Sequence, residues 1–146
     1  MEPLDLTVAP PRSPRVMLDG LAMLARTIDK MRAGLPGGKM GDYHVDGMST
    51  RMLKIIGVDV EALQEAVAGA GSEDEVVAWL RAHADTSRYP EATHVMLHRS
   101  IEDIDPARLP EFAHKYPNYA AAASSKLLDI IEADDAAAFG KAAVDR

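Results

Sequence analysis

Residues 16–35 read VMLDGLAMLARTIDKMRAGL, and this stretch decides the fold class. Its apolar residues Met17, Leu21, Leu24, Ile28, Met31 and Leu35 recur at intervals of 4, 3, 4, 3 and 4. That period follows the turn of an α-helix, not the alternation of a strand. The spacing predicts an amphipathic helix from about Val16 to Gly34, ended by Gly34 and Pro36. Arg26, Asp29, Lys30 and Arg32 fall off the apolar stripe. They are expected to form its solvated face, where pairs such as Arg26–Asp29 contribute only tenths of a kcal/mol.

The same period of three to four governs the rest of the chain, with glycine and proline marking the breaks. Short helices are expected near Met48–Ile56 and from Asp59 through Ala68. Another follows the capping-box pattern Ser72–Glu75, in which side chain and backbone satisfy each other's orphan amides. A helix opening at Pro90 carries His94 and His98, Asp105-Pro106 opens a short one, and the last is expected over about Tyr119–Glu132. No stretch alternates as a strand does, and no internal repeat is present. The expected fold is all-α, one irregular helical bundle of about five to seven helices. It spans residues 1–146 as a single domain, with an extended Pro-rich segment over 1–15 and a frayed tail over 136–146.

Composition narrows the function classes. The chain has no cysteine, which removes disulfide frameworks, thiolate metal sites and thiol nucleophiles. The N-terminus lacks the basic start and apolar run of a secretory leader, and no segment is apolar enough to span a bilayer. The expectation is therefore a cytoplasmic protein with no membrane partner. A net charge of −7 opposes nucleic-acid binding, which rests on neutralising phosphates. The charge is uneven, because residues 1–54 carry eight Lys/Arg against six Asp/Glu while the remainder is strongly acidic. The front of the chain is thus expected to build the functional surface.

Several motifs resemble one family. PPRSP (Pro10–Pro14), LARTIDKMRAGLPG (Leu24–Gly37), GDYH (Gly41–His44), IIGVD (Ile55–Asp59) and LLDIIEADD (Leu127–Asp135) together look like the bacterial domain of unknown function 5069 family. The resemblance implies a predominantly helical protein. It assigns no activity and carries over no catalytic or binding residue.

Candidate sites therefore come from the residues themselves. The run Gly34–Met40 is not a phosphate-binding loop: three residues precede its Gly-Lys pair where four are needed, Met40 replaces the magnesium-binding hydroxyl, and a helix comes before it. It reads as a flexible terminator. In the Pro-stiffened run before the first helix, Arg12 and Arg15 suit planar anions, although capping by Ser13 ahead of Pro14 is the favoured role there. If the loop Gly38–His44 folds back over the first helix, Tyr43 and His44 would join Arg26, Asp29 and Lys30 in one cleft.

The leading functional expectation is a binding module for a small anionic ligand held by Arg12, Arg15, Arg26, Lys30 and Lys39. A second is an enzyme with Asp29 or His44 as general base, Tyr43 as proton donor, and Arg26 and Lys30 holding an anion. A third is a protein-interaction module or homodimer using methionine-rich helices. His94 and His98 sit one helical turn apart and are weak metal candidates, since Val95 replaces the zincin general base and a third ligand would have to come from elsewhere, such as His44, His114 or Asp103. No cofactor is expected.

Overall fold

The computed structural model describes residues 1–117, 119–121 and 124–140. Seven α-helices build it: α1 (Leu24–Ala33), α2 (Met48–Ile55), α3 (Val60–Gly69), α4 (Glu73–His83), α5 (Tyr89–His98), α6 (Leu109–Lys115) and α7 (Leu127–Phe139). Short 3-10 turns fill the connections, and no strand occurs among the described residues. The fold is all-α, as the periodicity predicts.

The first helix sits at the centre. Every residue from Leu21 to Met31 is buried, polar ones included. Helices α2 and α3 pack on it, α4 on α3, and α5 bridges α2 and α7. The N-terminal segment closes a further side. Leu6 is buried, and its amide donates to the Lys39 carbonyl at 2.8 Å, while the Lys39 amide donates to Leu4 at 2.9 Å. The expected solvated face of α1 is therefore covered: Arg26, Asp29 and Lys30 are each less than 5% exposed. Helical period reports which residues are apolar. It does not report how many neighbours a helix will have.

α1 is also shorter than its apolar spacing predicts, starting at Leu24 and not near Val16. Asp19 (φ 53°) and Gly20 (φ 81°) are left-handed, and Leu18 and Leu21 exchange both backbone hydrogen bonds, at 3.0 and 3.1 Å. This is a two-residue hairpin turn, whose chemistry favours Asp-Gly at its centre. The dipeptide was present in the helical stretch and outranks its periodicity. Met17 is consequently exposed and does not belong to the core stripe. Ser13 caps a local turn, accepting from the Arg15 amide at 3.2 Å, rather than the helix.

Other boundaries follow their caps. Ser72 accepts from the Glu75 amide at 3.3 Å, while the Glu75 carboxylate reaches one residue further back, to the Gly71 amide at 2.7 Å. Asp59 makes no side-chain cap at α3. The last helix starts at Leu127, later than the expected Tyr119, and continues through Phe139. Of the tail expected over 136–146, residues 141–146 lie outside the described residues. No helix among the described residues is long and apolar enough to cross a membrane.

Candidate functional site

Burying α1 forces its charges to find partners, because an isolated ion in the interior costs several kcal/mol. The Arg26 guanidinium is bidentate on Asp135 of α7, with Nη1 donating to Oδ2 at 2.6 Å and Nη2 to Oδ1 at 3.1 Å. Tyr43 donates its hydroxyl to the same Oδ1 at 2.8 Å. Its ring lies beneath both the Arg26 guanidinium (5.5 Å) and the Lys30 ammonium (5.9 Å), and stacks on Phe139 at 6.4 Å. Burial, then the Asp135 charge and hydrogen bond, push the Tyr43 pKa well up, so it stays a neutral donor. Arg26 Nε has no hydrogen-bond partner among the described residues.

Lys30 is the strained member. It has no ion-pair partner among the described residues, and its Nζ donates to the His44 carbonyl at 2.9 Å. Burial first, then the charges of Arg26 and Lys115, push its pKa down to about 7. One residue before Lys30, Asp29 accepts from Arg12 three times, from the backbone amide at 2.8 Å and from Nε and Nη2 at 3.1 Å. Arg12 also pairs with Glu73 of α4. Arg15 is held by Asp129 and Glu132 of α7.

These contacts locate the residues expected to act. The loop after α1 does fold back, and it brings Tyr43 over Arg26 and Lys30. Asp29 is engaged by Arg12, and Tyr43 by Asp135. His44 contributes its carbonyl to Lys30 while its residue stays exposed. Arg12, Arg15 and Arg26 all have carboxylate partners. Lys39 is exposed and lies near Asp5. A shallow hollow of about 390 Å³ touches Arg12, Asp29 and Glu73, which pair with one another, and Arg32, whose Nε donates to the Glu2 carbonyl at 2.8 Å.

A larger opening lies elsewhere. A cleft of about 690 Å³ runs between α2, α6, the start of α7 and the segment 99–108. Such a volume falls in the range of small-molecule sites. Met48, Phe112, Tyr116, Leu127 and Ile131 give it apolar lining. Arg51 and Lys54, exposed and one turn apart on α2, line it together with Arg99 from just beyond α5.

Neither Arg51, Lys54 nor Arg99 is within ion-pair distance of a carboxylate among the described residues. Arg99 Nη2 reaches only the Asp103 carbonyl, at 3.4 Å. The Asp103 carboxylate is turned to the Ser100 amide at 3.0 Å, capping the 3-10 turn that follows. Burial first, then the Arg51 charge, pull the Arg99 pKa below its ordinary value. Of the cleft's other charges, Lys115 pairs with Asp46 and Arg108 with Glu111, while Asp103 and Asp105 line it without an ion-pair partner among the described residues.

A second, shallower hollow of about 390 Å³ adjoins the cleft. It shares Arg51, Arg99 and Asp103 and adds Ile55, Val95 and His98. The His94 and His98 rings are neighbours, with centroids 4.4 Å apart. No group of three or more His, Asp or Glu among the described residues could hold a metal. The sequence reading missed the cleft. Arg51 and Lys54 at i,i+3 were its one local signal, but Arg99 joins them only through the packing of α2 on α5.

The molecule is thus an all-α helical bundle with a charged core and an open cleft lined by cations, carboxylates and apolar side chains. The chain belongs to the family described as domain of unknown function (DUF5069), whose model matches residues 8–137. No curated protein matches it.

Proposed function

We propose that this protein is a small-molecule binding module of the bacterial cytoplasm, and that its ligand is an anion with an apolar portion, seated in the cleft between α2 and α6. One observation carries the reading. Arg51 and Arg99 line the same cleft beside apolar side chains, neither in an ion pair with a carboxylate among the described residues, whereas Arg12, Arg15 and Arg26 are paired. Two guanidiniums in that position repel, and a bound anion turns the repulsion into two attractions. The apolar lining, with the Phe112 and Tyr116 rings 5.0 Å apart, favours a ligand carrying a ring or an acyl chain over a bare inorganic ion.

The test is a thermal-shift series with benzoate, octanoate, phenyl phosphate and inorganic phosphate. The organic anions should raise the melting temperature more than inorganic phosphate does. Arg51→Ala and Arg99→Ala should each remove the shift while the protein stays folded. If no organic anion moves the wild type, the reading fails.

A further inference from the structure

The larger cleft and the smaller hollow meet at one wall, made of Arg51, Arg99 and Asp103. We infer that they form a single two-lobed site for a small phosphodiester, with the phosphate between Arg51 and Arg99 and one ester substituent in each lobe. The inference rests on the binding reading above and names the ligand class for that same site.

Position is the first argument. A carboxylate or a phosphate monoester ends in its charge. With that charge on the two arginines, its single substituent fills one lobe and leaves the other to water. A phosphodiester carries its charge in the middle, as the site does. Charge is the second argument. The shared wall holds two guanidiniums against one carboxylate, which matches a monoanion better than the dianion of a monoester. Hydrogen-bond geometry is the third. A diester keeps two non-bridging oxygens, and each can take a guanidinium edge from one arginine.

The lobes are also apolar in the right places. The larger offers Phe112 and Tyr116, and the smaller offers Ile55 and Val95, with the exposed His98 ring at its margin. The buried cluster around Arg26 gives no comparable opening, because its charges face one another.

The test compares diphenyl phosphate with phenyl phosphate by calorimetry and by methyl NMR on the full chain. Diphenyl phosphate should bind about tenfold tighter, the effect of burying one further ring against apolar side chains. It should perturb methyls in both lobes, those of Ile55 and Val95 as well as Leu127 and Ile131. Phenyl phosphate should perturb one lobe only. Arg51→Ala and Arg99→Ala should weaken both ligands, and Val95→Trp, which fills the smaller lobe, should weaken the diester alone. Equal affinities with silent Ile55 and Val95 methyls would overturn the two-lobed site and leave the binding module standing. Binding of neither compound, with no organic anion shifting the melting temperature, would overturn both. The methyl perturbations need no variant, so a misfolded Val95→Trp does not weaken the test.

Discussion

Two groups of arginines in this molecule behave oppositely. Around α1, Arg12, Arg15 and Arg26 are each locked to carboxylates brought from α4 or α7. At the junction of α2 and α5, Arg51 and Arg99 line one cleft with no ion-pair partner among the described residues. Three cations of the mildly basic front, Arg12, Arg15 and Arg26, are neutralised by carboxylates from the acidic back, so they hold the fold together and are unavailable to a ligand. The second group takes no part in that neutralisation. Unpaired cations beside an open apolar cleft are where an anion gains most.

The comparison is most severely tested at Asp135. Replacing it with Ala strands Arg26 in the interior and should cost about 3–5 kcal/mol, read by urea denaturation. The double variant Arg26→Met/Asp135→Leu should recover most of that loss, since an apolar pair of similar size needs no desolvation. A loss below the range of ordinary surface substitutions would show that the pair is not sealed from water.

Lys30 gives the next largest effect. Its folded pKa, about 7, lies below its ordinary value of 10.5, so the folded chain releases the proton first. The cost of burying the charge is full below about pH 7 and is relieved as the pH rises toward 10.5. Stability should therefore increase with pH over this window by up to roughly 1.4 kcal/mol per unit. Lys30→Met should be flatter across the same range, and parallel profiles for the two proteins would remove Lys30 from the buried network.

Gly20 tests the turn that sets where α1 begins. At φ 81° with nothing near its missing Cβ, Gly20→Ala meets only backbone strain and should cost about 1 kcal/mol. The smallest effect belongs to the second group of arginines. Arg51→Ala and Arg99→Ala should each leave stability within about 0.5 kcal/mol of wild type, with Arg99→Ala on the stabilising side. A loss at either position comparable to that at Asp135 would erase the distinction between the two groups.

The helical class was legible because apolar residues repeat every three to four positions from Leu21 onward, and that pattern needs no knowledge of neighbours. The capping at Ser72 and the helix start at Pro90 were legible for the same reason, being bonds between residues a few positions apart. The Asp19-Gly20 turn was written in the sequence too. It was obscured by a helical spacing that ran straight across it, and the positive φ angles decide between the two. The sequence also located a cluster of Arg, Asp, Lys and Tyr near α1. It could not say that the cluster would be buried, because Asp135 and Glu73, which neutralise it, lie far along the chain. Burial of a polar helix face depends on those long-range ion pairs, and so does the choice of which cations remain free. The sequence by itself determined an all-α chain and its inventory of charge. Only the tertiary structure decided which charges cancel, because Coulomb attraction acts on distance in space and not on separation along the chain.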